Sequence, residues 1–407
     1  MPIRVERVLS VLRGLLRSAH LAGADDLPVL VAAAGGQLTA ERAVLYLVDY
    51  DQLELVPLHP PAGPAAAAAT VPIEGTLAGR SFTDVRQHTG TTSNDRRAVW
   101  TPVVDGSERL GVLLLDFAAD VEVDDELRAA CRDVADLVAE LVVTRSLYGD
   151  AVERARRRTP MTIPAEMQWR LLPPLTLTTR RVAIAGGLAP TAEVAGDSFD
   201  YALNGDIAHV AIFDAMGHGM EAALLAAVAI STLRNSRRGG LDLSGTVRRV
   251  DTEIAAQFGP DKFLTGIIGE LNLVTGCWSW SSCGHPPALL LRGGRVVKTL
   301  DTVIGAPLGL GLLSEHPEIG EERLQPGDRL LLYTDGVVEA RDQVGEFFGT
   351  ERLVEFTTRQ AAAGRPAAET LRRLNHTILR HQQGKLQDDA TTVLIEWLTG
   401  QPSLGTP

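Results

Sequence analysis

The sequence predicts an α+β protein of two domains: a smaller N-terminal α/β domain, a long linking helix, and a C-terminal sandwich with helices covering antiparallel sheets. Three observations carry this expectation. At 407 residues the chain exceeds one ordinary core. From about residue 180 its texture changes to many short apolar runs of strand length. Those runs are broken by a consecutive pair of helical stretches, the pattern of an α+β sandwich. The expected boundaries are 1–148 for the first domain with its flanking helices, 149–178 for a helical linker, and 179–400 for the second domain.

Composition narrows the function. Hydrophobic residues make up 45% and charged residues 22%, the balance of a soluble globular chain. A net charge of −12 argues against a broad nucleic-acid or anionic-membrane surface. Cys131, Cys277 and Cys283 show no metal-type pairing and cannot make a closed disulfide framework, which fits a reducing compartment. The opening "MPIRVERVLSVLRGLLRS" carries an arginine every few residues and no apolar core, unlike a secretory signal. No window offers about 18 consecutive apolar residues. A cytoplasmic protein without a membrane span or nucleic-acid partner is expected.

The elements follow in order. Val5, Val8, Leu12, Leu15 and Ala19 make one stripe of an amphipathic helix. "AVLYLVD" and "LELVPL" read as strands, and "HPPAGPAAAAAT" as a surface loop. "VPIEGTLAGRSF" reads as a turn and short helix, and "AVWTPVVDGSERLGVLLLDF" as two strands joined around Asp105-Gly106. A long helix begins near Asp124. Its Leu127, Cys131, Val134, Val138 and Leu141 alternate four and three apart, and after Arg145 the series resumes at Tyr148, Val152 and Ala155. This spacing suits a coiled-coil seam between two copies. Packing on the helix's own domain is an equal alternative for the first half, and the weaker one for the second. The basic end, "RARRR", reads as a solvated terminus. Pro160, Pro164, Pro173 and Pro174 mark the junction.

Beyond it, "RVAIAGGLAP", "DIAHVAIFD", "FLTGIIGELNLVTG", "CWSWSSCG", "PALLLRGGRVVKTL", "DRLLLYTDG" and "ATTVLIEWL" read as β structure. "GMEAALLAAVAISTLRNSRR", "LSGTVRRVDTEIAAQFG" and "AAETLRRLNHTILRHQQ" read as helices.

Acidic residues recur at the ends of these strands: Asp197 in "AGDSFD", Asp214 in "IFDAMGHG", Asp335 in "LLLYTDG", and Asp388 with Asp389 in "QDDATTVLI". Taken singly, each reads as turn chemistry, since Asp before Gly is ordinary. Taken together they favour a shared cleft, where concentrated negative charge is tolerated only with a cation. Hard divalent ions with oxygen ligands are the ordinary solution, and no His/Cys set suits zinc. Gly217 and Gly219 would let the backbone pass close to metal or phosphate. His218 reads either as a proton-transfer group or as a polar residue in a tight loop. A Cys283–His285 nucleophilic pair is disfavoured by its place in a hairpin turn.

In sequence and order these motifs, with "SSCGHPPALL", "PLGL" and "GEFFGTERL", resemble the metal-dependent serine/threonine protein phosphatases (PPM type) of the bacterial SpoIIE-like branch, over about residues 165 to 398. The resemblance implies an αββα sandwich and two Mn²⁺ or Mg²⁺ ions. It implies that Asp214 bridges the ions, with Asp197, the Ala215 carbonyl, Asp335 and Asp388 as further ligands, and Asp214 and Asp335 as the catalytic pair. Asp200, Asp389, Gly217 and His218 are secondary candidates. Ala195 replaces one of two glycines common before the first Asp, and no arginine stands where the larger eukaryotic relatives grip phosphate. "VPIEGTLAGRSF", "AVWTPV" and "ERLGVLLLDF" resemble a GAF sensor domain, implying a small-molecule ligand or a dimerisation role. "PAEMQWRLLPP" resembles the element that couples sensor to catalytic core in that branch. A GAF-regulated phosphatase is therefore expected, homodimeric, acting on a phosphorylated STAS-domain anti-anti-sigma factor in partner-switching signalling. The rival is an inactive phosphatase-fold scaffold that binds a regulatory partner, against which the intact acids speak.

Overall fold

The computed structural model describes residues 5–60, 68–92, 95–106, 108–189, 196–301, 304–383 and 388–398. Ala195, the middle of the alanine-rich loop and the Val5 side chain lie outside that description. The chain divides into two compact units, Met1–Pro160 and Met161–Ser403, apart from the last four residues.

The first unit runs α1 (Val5–Ala19), α2 (Leu27–Gln37), β1 (Arg42–Val48), β2 (Glu54–Pro57), β3 (Val71–Pro72) and α3 (Leu77–Asp84). It continues β4 (His88–Thr91), β5 (Arg97–Asp105), β6 (Glu108–Phe117), α4 (Asp125–Ser146) and α5 (Ala151–Arg156). Its antiparallel sheet has the order β3-β2-β1-β6-β5-β4. Alternation assigns the two faces. Leu45, Leu47, Leu113 and Leu115 meet α1, α2 and α4, whereas Tyr46, Val48, Val112 and Leu114 meet Ala78 and Phe82 of α3.

The seam of α4 is buried in this unit. Leu127, Cys131, Val134, Val138 and Leu141 all belong to the first of these cores. So do Ala151 and Val152 of α5, which corrects the expectation that the second half of the series would lack a partner in its own domain. The helix also ends at Ser146, leaving Tyr148 79% exposed. Arg145 interrupts the apolar series because its Nη2 donates to the carbonyl of Ala19 at the end of α1, at 2.7 Å.

The basic end of α5 is paired as well as solvated, for Arg154 and Arg158 stay exposed. Arg154 pairs with Asp25 at 3.2 Å, and Arg156 stacks 4.5 Å over the Tyr50 ring while donating to the Val48 carbonyl. Arg158 lies 3.8 Å from Asp49 and 3.6 Å from Glu54. The sheet's own acids and an aromatic ring supply the partners that composition alone could not reveal.

The second unit opens with α6 (Ile163–Leu171), β7 (Thr176–Thr178), β8 (Val182–Ala189), β9 (Asp197–Asn204) and β10 (Ile207–Ala215). The helix pair α7 (Met220–Arg238) and α8 (Leu243–Phe258) follows, then β11 (Leu264–Asn272), β12 (Cys277–Cys283), β13 (Ala288–Arg292) and β14 (Arg295–Leu300). It closes with β15 (Gly320–Arg323), β16 (Arg329–Tyr333), α9 (Asp335–Val338), α10 (Gly349–Ala362), α11 (Ala367–His381) and β17 (Ala390–Trp397).

Two antiparallel sheets, ordered β15-β12-β11-β10-β9 and β14-β13-β16-β17-β8-β7, face each other. Phe199, Ile212, Trp278, Trp280, Leu332 and Val393 lie in the core between them. Helices α7 and α8 cover the outer face of the first sheet through Ala211, Phe213 and Ala215. Helices α9, α10 and α11 cover the second through Leu289, Leu331 and Leu394. The result is a four-layer αββα sandwich, as the sequence motifs implied. Helix α10 was not expected, because its apolar stripe (Leu353, Phe356) is short.

Burial of α4 makes a prediction. In the full chain, Val138→Asp puts an unpaired carboxylate into the first unit's core and is expected to cost that unit at least about 3 kcal/mol. Near-UV circular dichroism and thermal unfolding should show the loss. A variant that stays fully folded and changes only its oligomeric state would restore the inter-subunit seam.

Candidate functional site

Strand alternation places the aspartates. Phe199 and Ile212 point between the sheets. Asp197 and Asp214 each stand two residues away on the same face, and they pair directly across β9 and β10. On the second sheet, Leu332 and Val393 face the same space, and by the same period so do Thr334, Thr391 and Asp389. The residues meet there. Thr334 Oγ1 donates to Asp197 Oδ2 at 2.6 Å and accepts from Thr391 N at 3.0 Å. Asp389 Oδ2 accepts from Gly196 N at 2.8 Å and Asp197 N at 3.3 Å. Asp389 thus ties the two sheets together, and it enters the site as fully as Asp388. Asp388, exposed, accepts from Asp389 N at 2.9 Å.

Crowding sets the electrostatics. Burial first, then Asp214 and Asp389, hold the Asp197 carboxyl well above the usual range, against the hydrogen bond from Thr334. Asp214 is pushed up to about 7 by burial and by Asp335, Asp388 and Asp389. Asp335 is raised by burial and by Asp388 and Glu339. Among the described residues, no three acidic, histidine or cysteine side chains close on one point as a cage. The donor set nevertheless fits hard divalent cations: it is all oxygen, and burial with mutual repulsion raises its carboxyls.

The glycines have two separate causes. Gly217 and Gly219 take φ of 89° and 75°, the left-handed region, and a methyl at either would meet open space. Conformation, not close approach to protein atoms, explains them. Gly336 is the close approach: a Cβ there would lie 1.8 Å from the Asp389 carbonyl oxygen. The Ala215 carbonyl is left uncovered by Gly196, where an added Cβ would come within 2.9 Å of its oxygen. His218 is exposed on the loop.

Asp200 is not part of this cluster. Three residues after Asp197 it faces the helix layer, where Arg234 (2.7 Å) and Arg237 (2.9 Å) hold it. Cys283 and His285 are no nucleophilic pair. Burial pushes the thiol up to about 12 and the imidazole down to about 3, and His285 Nδ1 is engaged with Thr265 Oγ1 at 2.9 Å. Three residues that sequence reasoning missed support the aspartates. Thr334 orients Asp197, Gln168 of α6 donates from Nε2 to the Asp197 main-chain carbonyl, and Arg234 also donates to the Leu171 carbonyl at 2.6 Å. Only the "PAEMQWRLLPP" stretch, which contains it, hinted at Gln168.

Two antiparallel sheets between helix layers thus gather the aspartates between the sheets at one end. Residues 204–398 match the family described as Stage II sporulation protein E (SpoIIE), and the C-terminal unit is a SpoIIE/PP2C-type protein phosphatase domain. The chain is 26% identical to protein IcfG of Synechocystis sp. over 58% of its own length and 39% of that protein. It is 21% identical to phosphoserine phosphatase RsbU of Bacillus subtilis, over 58% of this chain and 70% of that one. A structure of the RsbU and RsbW domains of Rv1364c from Mycobacterium tuberculosis aligns with TM-score 0.47 and 25% identity, covering 55% of this chain and 63% of that one. The chain thus spans well under half of the IcfG protein.

Two predictions follow from the geometry. Gly336→Ala must displace the Asp388–Asp389 turn, at a cost of about 1–3 kcal/mol read as a shift in denaturation midpoint. An unchanged midpoint would mean the two loops are not in contact. The second concerns pH. Asp214 keeps its proton to about pH 7 in the fold but loses it near 4 when unfolded, so stability in chelator falls as pH rises across that window. Asp214→Asn should flatten the fall and be the more stable protein at pH 8, on the order of 1–2 kcal/mol. A variant less stable than wild type there would contradict the crowding.

Proposed function

We propose that the chain is a metal-dependent protein phosphatase that hydrolyses phosphoserine or phosphothreonine on a protein substrate. The observation that carries the reading is the gathering of Asp335, Asp388 and Asp389 around Asp214, whose carboxyl is pushed up to about 7 by burial first and then by these neighbours. Asp197, Asp214, Asp335 and Asp388, with the Ala215 main-chain carbonyl, are the oxygen donors for two Mn²⁺ or Mg²⁺ ions. When bound, such ions acidify water and neutralise phosphoryl charge. Asp214 and Asp335 are the central carboxylates. Thr334 and Asp389 keep Asp197 and its turn in place. No Ser or Cys nucleophile is required, in keeping with the inert Cys283.

The names of two relatives, phosphoserine phosphatases RsbU and RsbP of Bacillus subtilis, support a phosphoserine substrate. In line with the motif resemblance, the proposed substrate is a phosphorylated STAS-domain anti-anti-sigma factor in partner-switching signalling. The first unit acts as a GAF-type sensor for a small molecule, supported by its six-stranded sheet with helices on both faces. Its signal is received by α6, which Gln168 ties to the backbone of Asp197. The reading keeps a homodimer, through a surface other than the buried α4 seam. A cytoplasmic setting accords with three free cysteines, and no described helix is long and apolar enough to cross a membrane.

Phosphate release from a phosphoserine protein, with Mn²⁺ and with chelator, tests the proposal. Wild type should release phosphate only with metal, and Asp214→Asn should lose at least about a hundredfold in rate. Chelator-insensitive release, or equal rates in the variant, would sink it. Partner binding without any turnover would favour the scaffold.

A further inference from the structure

A second feature of the phosphatase domain lies far from the aspartates. An open groove of 610 Å³ is formed between the end of α7 and the first turns of α8, with Asn235, Ser236, Arg238, Leu241, Arg248 and Thr252 among its lining. Arg238 is eighteen residues along α7 from Met220, where the helix leaves the glycine loop, or about 27 Å away at ~1.5 Å per residue.

Its chemistry is one-sided. Arg238 and Arg248 are exposed, and neither has an ion pair or side-chain hydrogen bond among the described residues. Their neighbour Arg249 is already committed to Glu253 at 2.7 Å. The carboxylate of the connecting turn, Asp242, is turned into the start of α8, where it accepts from Gly245 N at 2.7 Å. Ser236 is among the lining residues, 1% exposed, and its hydroxyl is buried without a partner among the described residues. The lining therefore holds arginines and no carboxylate, in a concave surface of a chain whose net charge is −12. Leu241, 46% exposed, adds one apolar contact.

The shape selects among anionic ligands. Small-molecule sites enclose most of their ligand, about 70–90% of its surface, and this groove is open to solvent. Nucleic acid requires a broad basic tract, which an acidic chain with two free arginines here does not offer. An extended acidic peptide requires only a groove with arginines able to form charge-assisted hydrogen bonds.

We propose that the α7–α8 groove docks an acidic segment of a protein partner, one that carries an apolar residue among its aspartates and glutamates. Naming that partner as the phosphoprotein substrate rests on the phosphatase reading; the binding does not. Docking at this distance raises the local concentration of substrate at the aspartates without touching the reacting groups. It would favour protein substrates over small phosphate esters.

The test uses the full chain and a short fluorescein-labelled peptide of aspartate, glutamate and leucine, with an asparagine/glutamine analogue as control. Fluorescence anisotropy should show binding of the acidic peptide alone, weakening as salt rises from about 0.05 to about 0.3 M. Arg238→Glu combined with Arg248→Glu should weaken it at least about tenfold. Hydrolysis of p-nitrophenyl phosphate by the double variant should match wild type, and thermal unfolding reports its integrity. The milder Arg248→Gln, with an intermediate loss expected, decides the matter if the double variant does not fold. No binding by wild type, equal binding by the variants, or displacement of the peptide by pyrophosphate or a single-stranded oligonucleotide at lower concentration than unlabelled peptide overturns the proposal. Peptide binding without phosphatase activity supports the groove while removing the catalytic reading.

Discussion

Negative charge held between two sheets is the constraint around which the C-terminal unit is arranged. Like charges directly opposite on neighbouring strands are destabilising, yet Asp197 and Asp214 occupy such a pair. Burial and the acids of the facing sheet raise both carboxyls further. An apolar core of tryptophans, phenylalanine and aliphatic side chains between the sheets holds the two strand ends in place against this repulsion. Thr334 and Asp389 then bridge the sheets at the site itself, each through hydrogen bonds to Asp197 or its turn.

The same strand period that builds the site also separates it from its support. Asp197 and Asp200 are three residues apart on β9 and therefore face opposite ways. One enters the cleft; the other is gripped by Arg234 and Arg237 of α7. Arg234 also holds the end of α6, and Gln168 of α6 reaches the Asp197 carbonyl. A shift of α6 thus acts on the strand carrying Asp197 by two routes, one through Gln168 and one through α7. This gives the sensor-to-catalyst reading a physical path inside one unit.

The first unit shows how a heptad-like pattern can serve an internal core. A helix lying across a sheet buries a stripe at alternating three- and four-residue spacing, whether the opposing surface is a second helix or strands. In α4 that surface is the β5–β6 face together with α1 and α2. Basic residues that look solvated in sequence are drawn onto the sheet by Asp49, Glu54 and the Tyr50 ring.

By itself the sequence determined what local pattern can determine. Strand-length apolar runs, the paired helices α7 and α8, and aspartates at strand ends were legible because side-chain period and turn chemistry are local. The αββα arrangement and the phosphatase class were legible because several motifs recur in a fixed order. Tertiary structure alone decided which aspartates share a cleft, since Asp200 and Asp389 look alike in sequence and differ only in the face they occupy. It alone showed that Gly336 is a close-contact glycine against Asp389, because that contact joins segments more than fifty residues apart. It alone assigned the α4 stripe to its own core, for amphipathic spacing states that a face is buried and never against what.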